Sequence, residues 1–183
     1  IKQLSSLYAG DYSVSVADQN NCQAVLNFLI SAPDSITTSS LIFDASCFGF
    51  NDGQISVDVL GGVIPYSYIW NNGATNNMID SLSIGNYSIS ILDSHNCAYQ
   101  KSFLINQPNI LALSLQKSDV SCFGLSDGFI DLSITGGTSP YSINWDNSSV
   151  TEDIYSLSEG EYSVLVTDFN NCLIADSISL SFD

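Results

Sequence analysis

Five cysteines are the residues of this chain whose type and spacing say most about its chemistry. They lie at positions 22, 47, 97, 122 and 172, so a short interval alternates with one twice as long. Regularly spaced cysteines in small recurring units are typical of disulfide-bonded proteins in an oxidising, extracellular setting. A zinc site is not expected, because the chain has no Cys-x-x-Cys pair and only one histidine, His95.

No combination of side chains typical of an enzyme accompanies the cysteines. The chain has no Ser/His/Asp set and no Gly-rich phosphate loop, and its histidine does not recur. The net charge is -16, from 3 Lys+Arg against 19 Asp+Glu. Nucleic acid binding needs clustered cations, so no nucleic acid partner is expected. No apolar run approaches the length of about 18 residues that spans a membrane, so no transmembrane segment is expected either.

One stretch occurs three times and organises the chain. It covers positions 10–22, 85–97 and 160–172, so the spacing between copies is the same both times. In each copy a Tyr and two β-branched residues alternate with mostly small or polar ones, which is the period of a strand with one buried face. An Asp and an Asn before the Cys then predict a turn.

This constant period divides the chain into one partial and two complete units. We call residues 1–33 the first unit, residues 34–108 the second unit and residues 109–183 the third unit. The first unit matches only the later part of the others. Pro33 and Pro108 end the first two units, and each junction is too short for a flexible tether. Consecutive units should therefore lie end to end with limited bending.

Alternating residues predict about seven short strands in each complete unit. In the second unit Ile55, Val57 and Val59 should face inward, and Gly61-Gly62 should turn the chain. Only weak helical periodicity appears, and turn signals recur at short, regular intervals. This pattern is typical of a β-sandwich. The predicted fold class is therefore all-β, with tandem Ig-like β-sandwich repeats, one to each complete unit, arranged end to end.

Two aromatic features recur within this pattern. We expect Trp70 and Trp145 to be buried at the centre of their sandwiches, the alternative being an exposed platform for a sugar. The segments 82–87 and 157–162 read Leu-x-x-Gly-x-Tyr, which resembles the tyrosine corner of sandwich folds.

Two pairings of the cysteines follow the repeat. Pairing within units joins Cys47 to Cys97 and Cys122 to Cys172, and leaves Cys22 without the partner that a complete first unit would supply. Pairing across unit boundaries joins Cys22 to Cys47 and Cys97 to Cys122 instead. We expect the first, because each complete unit then contains its own pair and could fold alone during export.

Calcium is the one metal ion with candidate ligands. If the disulfides lie within units, Asp52 and Asp93 should flank one, and Asp127 and Asp168 the other. Extracellular modules bind Ca²⁺ through such carboxylates. The alternative is that these side chains cap turns by accepting hydrogen bonds from backbone amides. No other cofactor is expected.

The sequence blocks of the units are similar to those of the SprB repeat family of Bacteroidota. Its members show Cys-x-Gly-x-x-Asp-Gly, then Gly-Gly-x-x-Pro-Tyr-x-x-x-Trp, then Leu-x-x-Gly-x-Tyr-x-Val-x-Val-x-Asp-x-x-x-Cys. Both complete units contain all three blocks, and the first unit contains the last. The chain departs at Asn21, Asn96 and Asn171, where many members have Gly.

This resemblance implies a structural stalk segment of a very large cell-surface adhesin. It implies export across the outer membrane by the type IX pathway, a part in gliding motility and surface attachment, and many further repeats. The implied partners are neighbouring repeats of the same chain, an extracellular surface or polysaccharide, and the export and motility machinery of the envelope. Asp-Ser-hydrophobic triplets like the O-glycosylation signal of Bacteroidota lie at Ser35, Ser81 and Ser177.

Two other functions fit the same residues. Each repeat could itself be a carbohydrate- or surface-binding module, which predicts exposed aromatic side chains in register on one face. The units could also be accessory domains of a secreted hydrolase, which needs a catalytic domain elsewhere.

Overall fold

The regular structure of this chain consists of β-strands. The structure is a computed structural model that describes residues 3–182. Within these residues there are fourteen strands and no helix. The first unit has β1 (Gly10–Ala17) and β2 (Gln23–Ile30). The second unit has β3 (Thr37–Phe43), β4 (Gly53–Leu60), β5 (Ser67–Trp70), β6 (Met78–Leu82), β7 (Gly85–Leu92) and β8 (Ala98–Ile105). The third unit has β9 (Ala112–Ser118), β10 (Gly128–Thr135), β11 (Ser142–Trp145), β12 (Ile154–Leu157), β13 (Gly160–Thr167) and β14 (Leu173–Leu180).

Each complete unit is a sandwich of two antiparallel, three-stranded sheets. In the second unit the sheets have the orders β3-β4-β6 and β5-β7-β8. The third unit repeats them as β9-β10-β12 and β11-β13-β14. These are the A-B-E and C-F-G sheets of an immunoglobulin-like domain without its D strand. The predicted Ig-like sandwich is therefore confirmed, although each complete unit has six strands where about seven were predicted.

Two separate hydrophobic cores hold the two sandwiches together. The alternating residues face inward as predicted, since Ile55 and Val57 are fully buried and Val59 packs partly buried beside them. Trp70 is 2% exposed and Trp145 is 4% exposed, which confirms both as core residues. Their indole N–H groups donate hydrogen bonds to backbone carbonyls, to Asn76 at 2.8 Å and to Thr151 at 3.0 Å. The buried tryptophans therefore leave no polar atom unpaired.

The tyrosine corner is present in all three units. The hydroxyl groups of Tyr87 and Tyr162 donate to the carbonyl oxygens of Ser83 and Ser158, four residues upstream, at 3.1 and 3.2 Å. In the first unit Tyr12 makes the same bond to Tyr8 at 2.8 Å. This bond fixes the corner through which the chain enters β1, β7 and β13.

The two ends of each sandwich differ, and the chain enters at one and leaves at the other. At the entry end of the second unit, Gly62 N donates to Asp34 O at 2.8 Å. At its exit end, Ala45 N donates to Asn106 O at 3.0 Å. Gly61 must be glycine at the entry end, because its φ is +74° and a Cβ there would overlap the carbonyl of Ser35. The third unit repeats this arrangement.

Strands β5 and β6 together make a single pass between the two ends. The start of β5 is level with the end of β7, since Ser67 pairs with Leu92, and β5 stops halfway at Trp70. The chain then changes sheet, and β6 covers the rest of the distance, ending where Leu82 pairs with Gly53. The chain between β4 and β7 therefore crosses the sandwich once, in two short strands of 4 and 5 residues.

The first unit is a hairpin of two strands that correspond to β7 and β8. Its side chains are exposed where those of the complete units are buried. Val16, for example, is 63% exposed, whereas its counterparts Ile91 and Val166 are fully buried. The predicted unit boundaries at 33/34 and 108/109 stay predictions.

Candidate functional site: the junction between the second and third units

A disulfide joins the second unit to the third. Cys47 lies at the exit end of the second unit and Cys172 at the entry end of the third. They are 125 residues apart in the sequence, and their Cα atoms are 5.8 Å apart. The bridge therefore crosses the junction between two units whose chain connection runs through Pro108.

The predicted pairing within units is wrong, and the alternative pairing across unit boundaries is not formed either. Cys47 pairs with Cys172, and Cys22, Cys97 and Cys122 are free and exposed. Within the second unit, Cys97 precedes β8 whereas Cys47 lies near Asn106, which follows that strand. A strand as long as β8 spans roughly 25 Å, but bonded cysteines need Cα atoms within about 7 Å.

The boundary pairings fail for a related reason. Cys97 lies at the entry end of the second unit and Cys122 at the exit end of the third, so two whole sandwiches separate them. Cys22 and Cys47 are separated likewise by the length of the first and second units. When units stack end to end, only the exit end of one unit meets the entry end of the next, and the bridge forms there.

A buried carboxylate positions Cys172. The Oδ1 atom of Asp168 accepts hydrogen bonds from the backbone N–H groups of Asn170 at 2.8 Å and Cys172 at 2.9 Å. Its Oδ2 atom accepts from Thr138 N at 2.8 Å, which ties the turn to the neighbouring loop. Asn171 has a φ of +65°, a left-handed conformation that Gly favours and Asn tolerates. This explains why Asn can stand where many family members have Gly.

A second carboxylate positions Cys47. The Oδ1 atom of Asp52 accepts from Ser46 N at 2.9 Å, and its Oδ2 atom accepts from the Ser46 hydroxyl at 2.5 Å. The hydroxyl donor, and then the amide donor, lower the pKa of Asp52 below its ordinary value of 3.8. The loop is anchored to the sandwich by the buried side chain of Ala45.

A polar contact closes the junction beside the bridge. The side-chain amide of Asn170 donates from Nδ2 to the carbonyl oxygen of Ser46 at 2.8 Å. The same Nδ2 lies 3.2 Å from Thr138 Oγ1. The turn that carries the bonded cysteine of one unit is therefore hydrogen-bonded to the other unit. Sequence reasoning missed this contact, because its partners are 124 residues apart.

Apolar side chains line the rest of the junction. Phe48 and Phe50 of the second unit face a shared cleft with Ile110, Leu111 and Leu173 of the third. A comparable cleft lies between the first and second units, where Pro33 and Ala32 meet Ile36, Cys97 and Tyr99. Cys97 is the counterpart of Cys172 in this cleft, but the first unit contains no counterpart of Cys47.

The four Asp residues predicted as calcium ligands accept hydrogen bonds from backbone N–H groups. Asp93 repeats the contacts of Asp168, accepting from the amides of His95 and Cys97, and Asp127 repeats those of Asp52. The Cys97 amide is the main cause that lowers the pKa of Asp93, and the Ser121 hydroxyl is the main cause for Asp127. Within residues 3–182 no three His, Cys, Asp or Glu side chains lie close enough together to hold a metal ion. The bonded Cys47 and Cys172 belong to different units, so the disulfides on which this prediction was based are not the ones that form, and calcium binding itself stays a prediction.

The predicted glycosylation serines lie on the surface. Ser35, Ser81 and Ser177 are all exposed, at the start of the second unit, in β6 and in β14. An attached glycan needs an exposed serine, and all three meet this condition. Glycosylation at these positions stays a prediction.

Two exposed aromatic rings lie side by side on the outer face of the β9-β10-β12 sheet of the third unit. Phe129 and Tyr155 are cross-strand neighbours whose ring centroids are 5.9 Å apart, and both are exposed. The Tyr155 hydroxyl donates to Asp153 at 3.2 Å. The corresponding residues of the second unit are Gln54 and Asp80, so this pair does not recur.

Comparison with known proteins identifies the repeats. The model of the SprB repeat matches residues 42–75 and 114–150. The chain contains two SprB repeats. Each match begins in the first sheet of a complete unit and includes the cysteine that is bonded in one SprB repeat and free in the other. No curated protein sequence matches the chain.

Solved structures with a similar arrangement of strands are built from immunoglobulin domains. The eight N-terminal domains of Down Syndrome Cell Adhesion Molecule superpose with a TM-score of 0.47 at 14% identity, over 96% of this chain and 28% of that one. Murine CEACAM1b gives a TM-score of 0.34 at 15% identity, over 81% and 100% of the two chains. The first two domains of DIP-gamma give 0.39 at 13% identity, over 81% and 98%. The chain thus spans about a quarter of the first of these structures. No helix within residues 3–182 is long and apolar enough to cross a membrane.

Proposed function

We propose that this chain is a structural stalk segment of a large secreted cell-surface adhesin. The observation that carries the proposal is the junction, where a disulfide and a hydrogen bond from Asn170 to Ser46 fix one unit to the next. A chain whose units are fixed end to end is suited to hold something else at a distance. The two SprB repeats support a surface protein of the adhesin type.

The assignment to gliding motility and to type IX export rests on the resemblance to the SprB repeat family. SprB repeats occur in adhesins of gliding motility that leave the cell by the type IX pathway, and we assign this chain to the same process. It acts there by its length and its resistance to unfolding. Each sandwich adds roughly 30 Å, from strands of about eight residues plus loops. No catalytic step forms part of this function.

The acidic surface also suits a stalk. A net charge of -16 makes identical chains repel one another. This repulsion protects the exposed edge strands of each sheet, which would otherwise pair with neighbouring molecules.

Surface exposure on cells tests the proposal. Antibodies raised against residues 34–183 should label intact cells that produce the protein, and protease added outside should remove the label. Labelling that appears only after the envelope is permeabilised would contradict it. Deleting one whole unit, residues 34–108, should leave attachment intact and shorten the distance at which cells attach.

A second candidate function is binding to an extracellular surface or polysaccharide. The exposed pair of Phe129 and Tyr155 favours it, because sugar rings stack on aromatic faces beside carboxylates such as Asp153. Since the second unit lacks this pair, such binding would belong to the third unit alone. A glycan array separates the two candidates: Tyr155→Ala should abolish any binding, and a stalk segment should show none.

A further inference from the structure

The three free cysteines lie in the same local structure as the two bonded ones. The amide of Cys97 donates to Asp93 Oδ1 at 2.9 Å, as that of Cys172 does to Asp168. Cys22 makes the same contact with Asp18 at 2.9 Å. Cys22, Cys97 and Cys172 therefore stand in equivalent turns at the entry ends of the three units, and only the last has a partner.

Cys122 is in turn equivalent to the bonded Cys47. Beside it, the Ser121 hydroxyl donates to Asp127 at 2.6 Å, as the Ser46 hydroxyl donates to Asp52 at 2.5 Å. The buried residue that anchors this loop is Val120. The loop that presents Cys122 is thus already folded as the bonded loop is, without a bond to hold it.

The surface around Cys122 is an uncovered copy of the surface around Cys47. Phe123 is 76% exposed, whereas its counterpart Phe48, which faces the third unit, is 50% exposed. Phe123 packs edge-on against Phe182, with centroids 5.5 Å apart, which leaves an apolar patch at the exit end. In the second unit Phe48 and Phe50, the counterparts of Phe123 and Leu125, share a cleft with Ile110 and Leu173 of the next unit.

We propose that Cys97 and Cys122 are half-sites of two further bridges like the one between Cys47 and Cys172, each made with a cysteine of a neighbouring repeat unit. Cys122 bonds the last cysteine of a unit stacked on the exit end of the third unit. Cys97 bonds the first cysteine of a complete unit that takes the place of the first unit at the entry end of the second. Each of these bridges then joins the exit end of one unit to the entry end of the next.

Each bridge forms by oxidation of two thiols. The two cysteines lose two protons and two electrons as the S–S bond forms. A disulfide oxidant, such as glutathione disulfide or an oxidised dithiol of the export compartment, accepts them and is reduced to two thiols. The equivalent reaction joins Cys47 to Cys172.

The bridges create a covalent path that is already extended. From Cys22 the chain runs through β2 and β3 to Cys47, crosses the bridge to Cys172, and continues along β14. Most of the residues between Cys22 and Cys47 lie in these two strands and are therefore extended. This path runs from the entry end of the first unit to the exit end of the third with little slack.

A second path of the same kind is offset by one unit. It runs from Cys97 through β8 and β9 to Cys122, over a stretch as long as that between Cys22 and Cys47. With further units on both sides, each path continues through a bridge at either end. An array of units joined by these two covalent paths cannot lengthen under tension unless disulfides break. This arrangement of disulfides between units does not depend on where the protein acts.

An extended chain tests the proposal directly. Residues 109–183 are repeated once after Asp183, and the product is oxidised in a glutathione redox buffer and mapped by alkylation and mass spectrometry without reduction. We expect Cys122 to be bonded to the last cysteine of the added unit, with Cys47 still bonded to Cys172. Although the added unit brings two cysteines, the number of alkylated cysteines should stay at the three of the original chain.

A matched variant serves as control. Cys122→Ser in the extended chain should leave the last cysteine of the added unit open to alkylation and the Cys47–Cys172 bond unchanged. The proposal is overturned if that last cysteine bonds within its own unit, or if Cys122 is alkylated while Cys47 and Cys172 are bonded. Neither result bears on surface exposure, so a failure of this bridge is distinguishable from a failure of the stalk function.

Discussion

Asn170 reaches across the junction and donates a hydrogen bond to the backbone carbonyl of Ser46, 2.8 Å away. Ser46 is the residue before Cys47, and Asn170 lies two residues before Cys172. The contact therefore holds the two bonded loops in register. It depends on correct stacking of both units, because its donor belongs to one unit and its acceptor to the other.

Removing this contact should weaken the bridge. Asn170→Ala should destabilise the junction by about 0.5–1.5 kcal/mol, the usual net value of a hydrogen bond. The equilibrium constant for the Cys47–Cys172 bond in glutathione buffer should then fall by roughly two- to tenfold, as quantified by alkylation. His95→Ala, at the equivalent position beside the free Cys97, should change nothing. An equal effect of the two variants would contradict this role.

The turn carboxylates allow a second matched comparison. Asp168→Ala and Asp93→Ala each remove an acceptor from three backbone N–H groups, so each should destabilise its own unit by at least about 1–3 kcal/mol. Only Asp168→Ala should also slow reformation of the bridge after reduction. Urea unfolding and timed alkylation measure the two effects. A slower bridge in the Asp93 variant would count against the assignment.

Burial of the tryptophans predicts a large loss of stability. Trp70→Ala should cost about 3–5 kcal/mol, because it leaves a cavity in the core of the second unit. Hydrogen exchange should accelerate in β4 and β7 and stay unchanged in β10 and β13. Ile69→Ala, at an exposed neighbouring position, is the control and should have little effect. A comparable loss in both variants would show that burial is not the cause.

The Ser46–Asp52 contact predicts a specific pH dependence. Since the folded-state pKa of Asp52 is lowered, its contribution to stability is complete above the ordinary value of 3.8 and is lost as pH falls through the folded-state value. Ser46→Ala removes the hydroxyl donor, so the pKa of Asp52 should rise towards 3.8 in a carboxyl NMR titration. Asp127, held by Ser121, should titrate as before. An unchanged titration of Asp52 would refute the role of the Ser46 hydroxyl.

The sandwich was predictable from the sequence because its signals are local. Strand alternation at Ile55 and Val57, the tyrosine corner at Tyr87 and the position of Trp70 each lie within a few residues of the contact they predict. They therefore indicated the correct fold class and the buried faces.

The junction was not predictable in the same way, because it depends on the end of the sandwich at which each cysteine lies. Between Cys47 and Cys97 the chain forms four strands but crosses the sandwich only three times, since β5 and β6 share one pass. An odd number of passes places the two cysteines at opposite ends. Counting strands alone gives the same end, and nothing in the sequence shows that the chain changes sheet halfway, after Trp70.

The Cys47–Cys172 bridge closes residues 47–172, most of the two complete units, into one covalent loop. Pulling a single molecule by its two ends tests this central claim most directly. In the oxidised chain the loop between Cys47 and Cys172, 125 residues in sequence separation, cannot extend. Adding a reductant should therefore increase the contour length released on unfolding by about 440 Å, at roughly 3.6 Å per residue. Cys47→Ala should release the full length with or without reductant. The same release from the wild-type chain before and after reduction would contradict the account.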